Sequence, residues 1–324
     1  MLPLTLEDFT RARARIEGRV HRTPLESSTL LGKVIGAELH LKCENLQKTG
    51  SFKVRGALNK LMQLDRESRT SGVITVSAGN HAQALAWAAA ETDTPCTVVM
   101  PANASKIKAE ATAAYGAEVL LHGTIHDLFD KAHELERERG LTFIHPFDDP
   151  QIIAGAGSAG LEILEQCPGV TTIVAAIGGG GHIAGIAGAT KMLGSGVRII
   201  GVEPVGANTM RQSLDAGHAV HTDKVDTIAD GLAPPMAGEL NYEFVKECVE
   251  DVVLVTDEEI VEAMALLLSR AKLLAEPAGA AAMAALLVGR IQLKPTDVVV
   301  AVLSGGNIGL KDLTRLLGDT ALAN

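Results

Sequence analysis

The sequence predicts an α/β protein built from two doubly wound, mostly parallel sheets, the smaller inserted in the larger. Two observations carry this. Short runs rich in Val and Ile alternate with longer helical patterns almost from end to end, the sign of parallel strands covered by helices. Four of those runs, "GVITVS", "CTVVMP", "AEVLLHG" and "LTFIHPF", form one series between Gly72 and Phe147, wholly inside the chain. A second series, "TTIVAAI", "VRIIGVEP" and "VVVAVLSGG", follows it. The helical segments "NHAQALAWAAAE", "SKIKAEATAAYG" and "IHDLFDKAHELERERG" separate the strands of the first series. At the N-terminus, Thr5 and Asp8 have capping-box spacing ahead of an amphipathic helix. Residues 1–71 and 149–324 are thus expected to form a large unit and 72–148 a small one. No repeat of solenoid period occurs, and little chain follows the last strand and helix, so no appended regulatory domain is expected.

With 324 residues, 47% of them hydrophobic, and a mean hydropathy of +0.19, the chain can bury a large core. Its formal net charge of −10, with no basic block, would repel a phosphate backbone and argues against a nucleic-acid partner. The N-terminal stretch lacks the basic and apolar regions of a signal peptide, which points to a cytoplasmic protein. Glycine runs break the most apolar stretches, so no membrane span is expected. Cys43, Cys96, Cys167 and Cys248 are scattered without metal-ligand spacing and read as reduced thiols.

Chemistry concentrates in four places. "IVAAIGGGGHIAG" runs from a buried strand through Gly178, Gly179, Gly180 and Gly181 into a helix. Residues without Cβ let backbone N–H groups converge on one anion, and the helix start adds its positive end, so a phosphate is the natural guest. Gly179, Gly181 and Ala184 also satisfy a G-x-G-x-x-A fingerprint, with Glu203 where a ribose-binding acid would stand, so a nicotinamide or other nucleotide-binding protein is an alternative. Lys53, in "TGSFKVRGALNK", opens a helix behind Phe52 in a chain with only 3% aromatics. A helix N-terminus disfavours the ammonium and favours the neutral amine that attacks an aldehyde. A phosphate cradle and an activated lysine together point to pyridoxal 5'-phosphate. "VSAGNHAQ" supplies Ser77, Ala78, Gly79, Asn80 and His81 in a polar turn suited to a carboxylate, and Asn80 can donate to a phenolate oxygen. His81 is either a structural histidine or an acid–base group. Ser304, in "VLSGGNIG", ends a buried strand where a hydroxyl can meet a ring nitrogen or cap a helix.

Taken in order, "KTGSFKVRGA", "SAGNHAQ", "GGGGHIAG", "EPAGA" and "LSGGNIG" resemble the threonine dehydratase and serine racemase family of pyridoxal-phosphate enzymes, of fold type II, the tryptophan-synthase-β-like fold. The resemblance covers nearly the whole chain. It implies that Lys53 bonds the cofactor, Phe52 packs on its ring, Asn80 holds the ring oxygen, Gly178 to Gly181 with His182 cradle the phosphate, and Ser304 meets the pyridine nitrogen. It also implies that Ser77, Gly79 and His81 line the substrate carboxylate and that Gly231, beside Asp230, and Glu276 border the cofactor. The implied activity is deamination of L-threonine or L-serine to a 2-oxo acid and ammonia by a dimer. Serine racemase and 3-hydroxyaspartate ammonia-lyase are the alternatives within the family. Three positions depart from the family pattern: His182 replaces Leu or Met, Ala78 replaces the serine of the racemases, and Thr209 replaces the acidic residue of a cation site whose other members would be Glu203 and Ala207. No metal is expected at a site short of one carboxylate.

Overall fold

The computed structural model describes residues 2–124, 127–222 and 224–318. Among the described residues, ten strands form two sheets: β1 (Leu25–Ser27), β2 (Glu38–Lys42), β3 (Val73–Val76), β4 (Cys96–Met100), β5 (Glu118–Leu121), β6 (Thr142–Phe143), β7 (Thr172–Ala176), β8 (Arg198–Pro204), β9 (Asp251–Val255) and β10 (Val298–Val302). The smaller sheet has the order β5-β4-β3-β6 and is parallel throughout. The larger has the order β1-β2-β10-β7-β8-β9, parallel except for the antiparallel β1–β2 pair at one edge. All seven strands expected from the sequence are present, and β1, β2 and β9 are additional. Strands β3, β4 and β7 are buried at every residue, as strands covered by helices on both faces must be.

The capping box at the N-terminus is formed: Thr5 Oγ1 accepts the Asp8 N–H and Asp8 accepts the Thr5 N–H at 2.7 Å, opening the helix Leu6–Ile16. In the segment "IHDLFDKAHELERERG", the helix runs Leu128–Arg139, and Ile125 and His126 lie outside the described residues.

The helix Lys53–Leu61 links the two sheets. Val54, Ala57, Leu58 and Leu61 join the apolar cluster around β3 and β4, while its other side packs on the helix Pro150–Gln166. Backbones meet closely there: a Cβ on Gly56 would lie 2.8 Å from the Ile152 carbonyl oxygen, and one on Gly155 would collide with the Arg55 carbonyl. Glycine at both positions lets the helices touch without side chains between them, which fixes where Lys53 stands. Cys43, Cys96, Cys167 and Cys248 are all free thiols. Among the described residues no helix is long and apolar enough to cross a membrane.

Candidate active site

Lys53 is the first residue of its helix, and its Nζ donates to the Pro146 carbonyl at 2.9 Å. The Phe52 ring centroid lies 5.2 Å away. Among the described residues no carboxylate pairs with this amine. The side chain is partly exposed along its length, but its amine end is enclosed, and burial brings its pKa down to about 8. Burial, rather than the helix start expected from the sequence, is the cause.

The glycine loop leaves β7 and enters the helix Gly181–Met192, with Gly180 at φ +99°, open to glycine alone among common residues. The loop is packed on its outer side. A Cβ on Gly178 would lie 2.9 Å from the Gly231 carbonyl oxygen and one on Gly181 2.7 Å from that of Phe147, while one on Gly179 would enter the Phe147 ring. Among the described residues, none of the N–H groups of Gly178 through Gly181 donates to a protein acceptor. Unspent donors at a helix start, with no side chain in the way, fit a phosphate. Among the buried polar atoms without a protein partner are Thr49 Oγ1, Ser51 Oγ and both ring nitrogens of His182.

Four of the five sequence motifs meet around Asn80. Its Nδ2 donates to Glu276 at 2.5 Å, and its Oδ1 accepts from Asn307 Nδ2 at 2.7 Å, which also donates to the Thr49 carbonyl at 2.7 Å. Burial pushes the Glu276 carboxyl up to about 7 against the pull of the Asn80 amide. Ser77 Oγ accepts the Gly79 N–H at 3.1 Å, ahead of the helix Asn80–Glu91. Ala78 packs against the apolar cluster of the small sheet. His81 is buried and held well below the usual histidine value by that burial and by the nearby Lys53. Ser304 is buried, its hydroxyl donates to the Ala278 carbonyl at 3.2 Å, and its own carbonyl accepts the Phe52 N–H at 3.1 Å. His182 stacks on Phe52, with centroids 3.7 Å apart and planes 6° apart, and burial lowers it to about 3. Its ring is therefore neutral and faces an aromatic neighbour.

Several residues at the site were not singled out from the sequence: Pro146, Phe147, Asn241, Asn307 and His145, whose Nδ1 accepts the Asp148 N–H at 2.8 Å. Asn307 lay within a quoted motif and could have been found there. Glu203 proves to be a helix anchor, accepting the N–H groups of Met210 and Arg211, each at 2.8 Å, while burial raises its pKa to about 8. Both of its oxygens thus hold the start of the helix Thr209–Ala216, a structural role that accounts for the residue without a ribose. Among the described residues no group of three His, Cys, Asp or Glu side chains is arranged to hold a metal.

A lysine whose amine meets no counter-charge among the described residues, with a glycine loop of unspent N–H donors in the same two-sheet fold, is the arrangement expected of a pyridoxal-phosphate enzyme. Residues 16–305 match the family described as "Pyridoxal-phosphate dependent enzyme", and the chain belongs to that family, in fold type II, with pyridoxal phosphate as cofactor. It is similar to the L-threonine ammonia-lyase of Thermotoga maritima, 44% identical over 97% of this chain and 78% of that one. The catabolic L-threonine dehydratase TdcB of Escherichia coli K12 is 41% identical over 98% of this chain and 97% of its own. Among solved structures, the serine racemase of Dictyostelium discoideum matches with a TM-score of 0.88 at 39% identity, covering 95% of this chain and 99% of that one.

Proposed function

We propose that the protein is an L-threonine or L-serine ammonia-lyase, removing the elements of water and then ammonia to leave a 2-oxo acid. The observation that carries the reading is the Lys53 amine, shielded, without a carboxylate partner and lowered to about 8, which lets it hold or release a proton near neutral pH. The relatives that carry threonine ammonia-lyase and dehydratase names support the substrate class.

When bound, the cofactor supplies a sink for the electron pair left at the substrate Cα. In this reading the N–H groups of Gly178 to Gly181 hold its phosphate, Phe52 packs on its ring, and Asn80 donates to its phenolate oxygen. Ser304, a neutral hydroxyl, meets the pyridine nitrogen without the charge of a carboxylate. His182 backs Phe52, and Gly231 and Glu276 border the ring. Ser77, Gly79 and His81, at the start of the helix Asn80–Glu91, receive the substrate carboxylate. Lys53 would bond the cofactor at rest, and its amine, once free, would take the Cα proton, with the Pro146 carbonyl as a fixed acceptor for one of its hydrogens. The Cα–H and Cβ–O bonds break, the hydroxyl leaving as water with the equivalent of the proton taken from Cα, and hydrolysis of the released enamine gives the 2-oxo acid and ammonia.

The racemase reading draws on the serine racemase relative. Racemisation needs a proton carrier on each face of the planar Cα, and Ala78 brings a methyl group where a hydroxyl would be required. Assay of ammonia, 2-oxo acid and D-amino acid across a panel of β-hydroxy amino acids, 3-hydroxyaspartate included, decides between them. Elimination from L-threonine or L-serine with no D-serine is the expected result, and Ala78→Ser is expected to raise D-serine to a minor product. D-serine formed by the unmodified protein as fast as pyruvate would replace lyase with racemase.

We also read the protein as a cytoplasmic homodimer of two units, 1–71 with 149–324 and 72–148. Leu30 and Val34, 51% and 61% exposed, stand on a helix whose Leu31 packs in the same cluster as Ile308 and Leu313, close in sequence to the 80%-exposed Leu310. Apolar residues so exposed fit a subunit contact.

A further inference from the structure

Asn241 lies on the helix Glu239–Cys248, fully buried, and belongs to no motif read from the sequence. Its Nδ2 donates to two carbonyls, those of Gly179 at 2.8 Å and Phe147 at 3.2 Å. Two acceptors fix which way the amide faces. Its Oδ1 is buried with no partner among the described residues, so an asparagine serving only to fill this space would be outdone by an apolar residue of the same size. The Gly238 N–H gives the Gly179 carbonyl a second bond at 3.1 Å, and a Cβ on Gly180 would lie 2.7 Å from Asn241 Cβ. Asp148 ties the same helix start to the Phe147 segment by accepting the N–H groups of Glu239, Leu240 and Asn241 at 3.1, 3.1 and 3.3 Å.

In a planar trans peptide, the carbonyl of one residue and the N–H of the next point in opposite directions. Drawing the Gly179 carbonyl toward Asn241 therefore turns the Gly180 N–H away from that helix. On the other side, the Phe147 carbonyl that shares the amide follows directly on Pro146, whose carbonyl holds the Lys53 amine. We infer that Asn241 is a positioning residue: it sets the Gly179–Gly180 peptide so that its N–H serves the cofactor phosphate, and it joins that loop to the segment that holds Lys53. The inference rests on the reading of the glycine loop as the phosphate cradle.

Equilibrium dialysis of the cofactor-free protein against pyridoxal 5'-phosphate and against pyridoxal, which lacks the phosphate, tests it. Asn241→Leu removes the donor at similar volume and is expected to weaken pyridoxal 5'-phosphate about tenfold or more while leaving pyridoxal within about twofold. Asn241→Thr retains one hydroxyl donor and is expected to fall between, and it carries the test should the leucine variant fail to fold. Equal weakening of both ligands, the mark of a general structural role, would overturn the inference, as would an unchanged preference for the phosphate form. An unmodified protein that binds both ligands alike would instead remove the cradle reading beneath it.

Discussion

Lys53 and Arg55 stand two residues apart at the start of one helix, and the chain treats their charges in opposite ways. Arg55 is wholly buried, yet its guanidinium meets Glu44 at 2.7 and 2.8 Å and Glu162 at 2.7 and 2.9 Å. Lys42 completes the cluster, reaching Glu162 at 2.6 Å and the Thr23 carbonyl at 2.9 Å. Burial opposes the charge on Glu44, but Arg55 and Lys42 hold its pKa down to about 2. Arg55 likewise has burial against it, and its two carboxylates still raise its affinity for the proton. Lys53 has a single carbonyl instead of an acid, and burial acts on it without opposition. The difference teaches that burial alone does not make a group reactive: a paired cation anchors the helix, and an unpaired one is ready to give up its proton.

The largest expected effect comes from deleting the unpaired member. Lys53→Ala should lower turnover by at least about a thousandfold, since a positioned acid–base group alone supplies about that much. Borohydride should then no longer fix the cofactor to the chain, while the urea midpoint changes little. A peptide map that found the reduced cofactor on Lys48 or on Lys60, which pairs with Asp149 at 2.7 Å, would break the comparison.

Removing the paired member should act on stability instead. Arg55→Met leaves Glu44 and Glu162 buried without their guanidinium and is expected to cost about 3–5 kcal/mol in denaturant unfolding. Adding Glu44→Gln should recover part of the loss. A single variant with unchanged unfolding would show that the cluster does not anchor this helix.

The third test sharpens the contrast by titration in the cofactor-free protein. Competitive acetylation of Lys53 should rise with pH around a midpoint of about 8, below the ordinary lysine value of 10.5, because only the neutral amine reacts. Its sign in stability follows. Between about 8 and 10.5 the unfolded chain keeps a proton that the folded chain has lost, so rising pH favours the fold across that window, and the benefit is lost as pH falls through 8. Relative to Lys53→Met, the unmodified protein should gain stability over the same range. A labelling midpoint near 10.5 would mean that the amine is not shielded.

Both residues lie in the quoted stretch "SFKVRGA", and only one of them was legible there. Lys53 could be read because lysine chemistry needs a phosphate site nearby and four consecutive glycines announce one. Arg55 looked like any helix arginine, since Lys42, Glu44 and Glu162 approach it from as far as 107 positions away in the chain. Strands followed the same division. Seven Val- and Ile-rich runs showed themselves, whereas β1 has three residues, β2, "ELHLK", mixes charge with apolar positions, and β9, "DVVLV", was passed over although its pattern is equally plain. Asn241 left one faint trace, a polar residue on the stripe it shares with Phe244 and Val245, at the helical spacing of a buried face. Its two carbonyl partners are main-chain atoms, which no side-chain pattern reports.

The place of β10 has a consequence for biosynthesis. This strand lies between β2 and β7, and it delivers Ser304 to the site, yet it leaves the ribosome after every other strand described. The four-stranded sheet, whose strands fall between Val73 and Phe143, can close while the chain is still being made. Until residue 302 has emerged, β2 and β7 have no partner on their facing edges, and unpaired edges are templates for association with other chains. Chains halted before β10 should therefore collect in aggregates, and the cofactor site should come into being only once β10 has been made.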